Sequence, residues 1–361
     1  MRFILGILIL IHGLMHLMGY VKAFSISEAL QISQSIPKNL GMLFFFTSFL
    51  FLIAAILFFT KFNLWFVFAI VGVITSQILI IHYWQDAKFG TIINSIIFIA
   101  SLLAIVSWNY KISYEDDIDS AFAKLQQTPT IITQKDVETL PQVVQKYLNY
   151  VGVIDKEEVV NLSIKIQGEM RAKEQNWFPF TSEQFNFIEQ PTRLFFMNAN
   201  VKGLPTTGYH RYQDNKALMH IKLLSLITVV RNTSPELYVS ETVTFFNDLC
   251  LFAPSALIAK NITWEEIDDV SVKAFFTSNG ITISATLYFN EKGELINFVS
   301  EDRYDINEMK KLRFSTPVSG YKEFDGYMLP SYGEAIWHYP EGEFVYGKFH
   351  LLDIKYNSKP Q

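Results

Sequence analysis

A single cysteine, Cys250, stands in 361 residues. That excludes an internal disulfide framework and any zinc or iron–sulfur cluster built on thiolates. Other signatures are missing as well: no G-x-S-x-G elbow, no phosphate-cradling glycine loop, no H-E-x-x-H and no dinucleotide fingerprint. Low-complexity tracts are absent and 15% of the residues are aromatic, which excludes disorder and collagen. Charge is scarcest in the first 110 residues, where only Arg2, Lys22, Glu28, Lys38, Lys61, Asp86 and Lys88 carry any, a net of +3. The remainder is net −8, giving −5 for the chain. That acidic part lacks the basic stripe nucleic acid requires, so no nucleic-acid partner is expected.

What fills the charge-poor part is apolar. Phe3–Val21, Leu40–Thr60, Phe62–Trp84 and Gly90–Tyr110 are four stretches of bilayer-spanning length. The first resembles a signal peptide only superficially, being too long and without a small-residue cleavage site, and is expected to be retained. The spacing therefore predicts a multi-pass bundle of four transmembrane helices over residues 1–111, in the cell membrane, with the lipid bilayer as its partner. Four spans put both ends on one side. Arg2, Lys61 and Lys111 mark that side and Lys22, Lys38 and Lys88 the other, a tie that the N-terminal amine tips towards a cytoplasmic soluble part.

Intramembrane ionisable groups are functional candidates by default. His12 and His16, four apart, share a helix face, and His82 and Asp86 end the third span, with Gln77, Asn94 and Ser95 near. One reading makes His12, His16 and His82 a metal, haem or quinone site; the other has neutral imidazoles hydrogen-bonding between helices. No cofactor can be named from the residues. The opening Arg2-Phe3-Ile4-Leu5-Gly6, with Gly13 and four spans, resembles the DoxX-type four-helix membrane family, whose members are linked to oxidation-related roles.

Beyond Tyr110 an acidic linker with a helix is expected over 112–140, containing Glu115-Asp116-Asp117-Ile118-Asp119. A β domain follows over 141–358. Its period becomes two: Ile281, Ile283, Ala285, Leu287 and Phe289 alternate with Thr282, Ser284, Thr286 and Tyr288. Asn279-Gly280, Asp325-Gly326 and Glu341-Gly342 are hairpin turns between nine to eleven expected strands. One helix interrupts them at about 235–252, opened by Ser234-Pro235-Glu236. Being apolar, it must bury itself in the sheet. The expected fold is α+β, a curled antiparallel sheet or half-barrel wrapped round a helix, with a mouth suited to an apolar ligand.

Glu241 and Asp248 share a face of that helix, and Arg303 is the expected partner for them, either as a structural ion pair or as the polar anchor of a ligand cavity, with paired carboxylates of a hydrolase as a third reading. Trp177 and Phe180, around Pro179, are expected at a cavity mouth or membrane-facing rim. Trp177-Phe178-Pro179-Phe180-Thr181, Ala253-Pro254-Ser255-Ala256-Leu257, Trp264-Glu265, Asp302-Arg303, Tyr321-Lys322-Glu323 and Glu334-Ala335-Ile336-Trp337 with Tyr346 resemble a bacterial family of unknown function, from about Leu140 to Tyr356. Its shape is similar to the lipoprotein-carrier fold. Glu334, among the polar residues of this part, and Trp337 complete the ligand-binding candidates, and the resemblance implies no reaction.

The leading expectation is a non-enzymatic, membrane-anchored protein whose β domain holds an apolar or lipid-like ligand for transfer or sensing. A membrane oxidoreductase or metal protein using the histidines is the second reading. A scaffold or sensor that binds another protein is the third.

Overall fold

The computed structural model describes residues 2–26, 33–126, 128–306 and 308–359 and divides into two compact units, Met1–Tyr110 and Lys111–Gln361. The first is helical. Helices α1 (Arg2–Ala23), α2 (Lys38–Phe59), α3 (Trp65–His82) and α5 (Gly90–Lys124) are each long and apolar enough to cross a membrane; α4 (Trp84–Ala87) is one turn. Small residues set how closely they approach. A Cβ on Gly13 of α1 would stand 2.8 Å from Phe51 Cβ on α2, so only glycine permits that contact. Ile9, Phe51, Ala54, Ala69 and Ile97 form the packed centre.

α5 does not stop where the apolar run stops. It continues to Lys124, so the acidic stretch expected in a linker lies on the same helix. Tyr114, Ile118 and Ala121 recur on one helical face and are buried, while Glu115, Asp116 and Asp119 face water. That amphipathic stripe carries the helix onward.

In the second unit come α6 (Gln134–Val137) and α7 (Gln142–Val151), the latter ended by Gly152 at φ 77°. The strands are β1 (Asn161–Met170), β2 (Phe178–Phe187), β3 (Thr192–Val201), β4 (Leu204–Gln213), β5 (Lys216–Leu223) and β6 (Ile227–Asn232), then α8 (Pro235–Phe252). After it follow β7 (Ile262–Asp268), β8 (Ser271–Ser278), β9 (Ile281–Phe289), β10 (Leu295–Ser300), β11 (Tyr304–Asp305), β12 (Lys310–Lys311), β13 (Arg313–Phe324), β14 (Tyr327–Tyr339) and β15 (Gly342–Tyr356).

Among the described residues, thirteen strands form one antiparallel sheet in the order β6-β5-β4-β3-β2-β1-β15-β14-β13-β10-β9-β8-β7, and β11 pairs with β12. The fifteen strands exceed the expected nine to eleven, and three of them, the two-residue β11 and β12 and the short edge β6, carry no alternation of their own. So wide a sheet curls. α8 accordingly touches β4 and β5 from one half of it and β9, β10 and β14 from the other.

Both faces of β2–β4 are covered. On one side lie α8 and the core of Leu162, Ile164, Phe246 and Leu249. On the other, the 111–124 part of α5 lies along the strands, with Phe122 edge-on to Phe187 at 5.0 Å and Tyr114 at 5.2 Å from Phe196.

Candidate ligand-binding site

α8 starts where its residues predict. The Ser234 side chain accepts a hydrogen bond from the Leu237 amide at 3.2 Å, and Pro235 occupies the first turn. Its apolar sides meet the protein's own rings: Phe246 stacks on Phe276 at 5.0 Å and packs edge-on to Phe298 at 5.9 Å. Phe245, Phe246, Phe276 and Phe298 are all fully buried. The expected apolar cavity beside this helix is therefore taken up by side chains.

The polar face of α8 carries Glu241 and Asp248, both buried, but their ion-pair partner is Arg193 of β3 and not Arg303. Arg193 Nε donates to Asp248 Oδ2 at 2.7 Å, Nη1 to Glu241 Oε2 at 3.2 Å, and Nη2 to Gln184 Oε1 at 3.0 Å. Gln184 and Asn186 of β2 also donate to Asp248, and His210 Nδ1 lies 3.0 Å from Glu241 Oε1. Burial alone would raise the Glu241 pKa; the His210 hydrogen bond and the His210 and Arg193 charges reverse that and hold it at about 2. Chemically this network clamps a helix to a sheet. Both carboxylates are already engaged, as acceptors of the Arg193 guanidinium. The signal for Arg193 was an arginine directly ahead of the apolar run Leu194-Phe195-Phe196-Met197, but no turn or motif linked it to α8.

Arg303 lies apart from that clamp although its charge reaches Glu241. Its guanidinium carbon is 4.0 Å from the Phe314 ring centre and 5.0 Å from that of Trp337, and Nη1 donates to the Tyr346 hydroxyl at 2.8 Å. Among the described residues it makes no ion pair, and its Nε is buried without a partner. Trp337 is thus a neighbour of Arg303. Asn247 of α8 donates to Thr316 of β13 at 2.9 Å beside them.

The remaining candidates lie elsewhere. Trp177 is met by two cations, Arg171 at 4.5 Å and Lys348 at 4.8 Å from its ring centre. Glu334 accepts from the Tyr332 hydroxyl at 2.5 Å. Phe180 packs on Phe349 at 5.6 Å and lines an open cleft of about 510 Å³, shared with Pro179, Thr181, Asn198, Ala199 and His350. Gly168 at its base permits the close approach of β1 to β15, since a Cβ there would come 1.9 Å from the Lys348 carbonyl oxygen. The seven expected ligand residues therefore fall into separate places: Glu241 and Asp248 at the clamp, Arg303 and Trp337 in the aromatic frame, and Phe180 in the cleft, with Trp177 and Glu334 each on its own.

In the helical unit the expected trio does not assemble. His82 is exposed and its ring faces Tyr83 at 4.9 Å. His12 and His16 are buried in a chain of neutral partners instead. His12 Nε2 meets Asn94 Oδ1 at 2.9 Å, and His16 Nε2 meets Ser76 Oγ at 2.9 Å. Asn94 donates to Ser76 and Gln77, both at 3.0 Å, and Gln77 donates to Thr91 at 3.1 Å. His16 Nδ1 donates to the His12 carbonyl, so its Nε2 is the acceptor of Ser76. Among the described residues no three His, Cys, Asp or Glu side chains converge as a metal set. The helix ends carry His82 outward, which hydropathy could not show.

Taken together, the second unit is a curled antiparallel sheet clamped onto an internal helix, with an open cleft at the ends of β1, β2 and β3. The chain belongs to a family of unknown function (DUF6544), whose model matches residues 130–349. Among solved structures it is similar to a LolA superfamily protein from Nitrosomonas europaea, with 10% identity and a TM-score of 0.36 over 63% of this chain and 96% of that one. No curated protein matches it.

Proposed function

We propose that this is a membrane-anchored binding protein whose β unit receives an apolar or lipid-like ligand for transfer or sensing. The observation that carries the reading is the cleft of about 510 Å³, a size suited to a small ligand, lined by Pro179, Phe180 and Ala199 together with Thr181, Asn198 and His350. The four apolar helices hold that unit at a bilayer, where such ligands are found. The Arg193–Glu241–Asp248 clamp keeps the curled sheet rigid around α8 while the cleft exchanges its occupant.

The test is native mass spectrometry of the full chain released gently from detergent. A retained mass matching a membrane lipid or isoprenoid is expected, and Asn198→Trp, which fills the cleft, should reduce it several-fold. Thr181→Trp, at the position paired with Asn198, fills the same space from β2 and guards against misfolding of the first variant. A bare protein, or an adduct indifferent to both variants, overturns the reading.

A further inference from the structure

The two edges of the thirteen-stranded sheet are protected very differently. Edge β7 exposes Ile267 at 52% but sets it among Glu265, Glu266 and Asp268, charges of the kind that prevent strand pairing. Edge β6 presents Ile227 and Val229, which are 55% and 60% exposed. Beside them project Leu226 of the β5–β6 turn and Leu204 at the start of β4, 55% and 46% exposed.

These residues form one tip. The Leu224 amide donates to the Pro205 carbonyl at 2.7 Å, and the Thr207 and Ser225 hydroxyls meet at 3.0 Å, tying the β5–β6 turn to the β3–β4 hairpin. Leu224 and Ser225 both adopt left-handed backbone conformations, φ 53° and 57°. A leucine tolerates that conformation poorly, so the turn is held in shape by its surroundings.

Charge points to the occupant. The unit as a whole is net −8, yet residues 215–232 contain no acidic side chain and include Lys216, Lys222 and Arg231. Lys202 sits at the tip itself, in the β3–β4 turn, and Lys222 is close enough to Arg231 for each to feel the other's charge. Along α5, Lys124 pairs with Asp214 at the far end of β4, Asp117 with Tyr209 and Arg211 nearer its middle, and Lys111 lies over Tyr114 and Phe196. Lys111 itself pairs with Glu183 of β2, so this part of α5 crosses from the Asp214 end of β4 over to β2, and Lys111 directly follows the last apolar run.

We infer that this tip, with Leu204, Leu226, Ile227 and Val229 as apolar anchors and Lys202, Lys222 and Arg231 as their basic flank, docks on an anionic lipid surface. The inference rests on the membrane setting proposed above and goes beyond ligand binding. Apolar side chains bury in the headgroup boundary and basic neighbours are drawn to anionic lipids. The adjoining cleft, which includes Asn198 and Asn200 just ahead of the β3–β4 turn, would then open towards the bilayer.

The experiment uses the full chain in nanodiscs of phosphatidylcholine, alone or mixed with phosphatidylglycerol. The native Cys250 is buried and its thiol is pushed up by that burial, so an introduced cysteine takes the bimane label. Label at Leu226→Cys should shift to the blue in anionic discs and be quenched by spin-labelled lipid several-fold more than label at Lys216→Cys, at the far end of β5. Adding Lys202→Glu and Lys222→Glu should remove that difference. Val229→Cys serves as a second reporter if the turn variant folds poorly. Equal quenching of the tip and far-end labels by aqueous iodide overturns the docking, as does a blue shift that vanishes on dilution and so reports self-association. If the lipid mass is still retained in that case, the ligand-binding reading survives; if the tip docks but no mass is retained, that reading alone fails.

Discussion

Each unit of the molecule buries a polar network, and the two are built from opposite chemistry. In the helical unit, His12, His16, Ser76, Gln77, Thr91 and Asn94 join α1, α3 and α5 by neutral hydrogen bonds. In the β unit, Arg193, Glu241 and Asp248 join β3 to α8 by ion pairs, trimmed by Gln184, Asn186 and His210. The difference follows from what each element must accomplish. Neutral groups lose little when buried among apolar helices and gain register through directional bonds. Buried ions lose their hydration and are tolerated only when every partner is present. The first network is thus forgiving, and the second is all or nothing.

The largest expected effect comes from breaking the ionic network on one side. Arg193→Met strands two buried carboxylates and should lower the stability of the β unit by about 3–5 kcal/mol, read as the urea midpoint of the near-ultraviolet signal of the full chain in detergent. Replacing Glu241 and Asp248 with leucine in the same background should restore most of the loss. A single variant as stable as the parent would show that the clamp carries no weight.

Acid should act on the same side of the comparison. Glu241 is held at about 2, below its ordinary value near 4.5, so the folded state binds this proton less readily than the unfolded one. Its contribution to stability is complete above the ordinary carboxylate range and fades as pH falls towards 2. Glu241→Gln should flatten that part of the stability–pH curve. An unchanged slope would assign the acid sensitivity to other carboxylates.

On the neutral side the effect should be smaller. Asn94→Leu removes the link between His12 and Ser76 and, for hydrogen bonds between membrane helices, should cost about 0.6–2 kcal/mol, measurable by denaturation in mixed micelles of dodecyl sulfate. A loss as large as that of Arg193→Met would collapse the contrast between the networks.

An exposed pair sets the bottom of the scale. Lys124 and Asp214 meet at 2.7 Å with side chains 39% and 49% exposed. Lys124→Ala should change stability by no more than about 1 kcal/mol and less in high salt.

Legibility in the sequence followed the reach of the interaction. The helix at Pro235–Phe252 was visible because its signals are local: a serine cap, a proline in the first turn and an apolar run ended near Pro254. Hairpins such as Asn279-Gly280 were visible for the same reason, with φ values of 50° and 80° where two-residue turns require them. Arg193 was missed because its partners lie 48 and 55 residues away on another element. Arg303, expected in that role, instead sits against Phe314, Trp337 and Tyr346, a setting that depends on β13, β14 and β15 converging. The extension of α5 past Tyr110 was hidden by its acidic residues, although the stripe of Tyr114, Ile118 and Ala121 was in plain view.

By itself the sequence determined the division of the chain into an apolar helical part and an acidic β part, the places of most helices and turns, and the carboxylates on α8. These depend on composition and on periods of two and 3.6, which neighbouring residues set alone. Only the tertiary structure decided which cation meets those carboxylates, that His82 stands apart from His12 and His16, that α8 is walled in by phenylalanine rings, and that Phe180 faces a cleft. Each of these depends on which strand lies beside which in a thirteen-stranded sheet, or how four helices rotate against each other. Such pairings are fixed by packing among distant residues, and no single stretch of chain contains them.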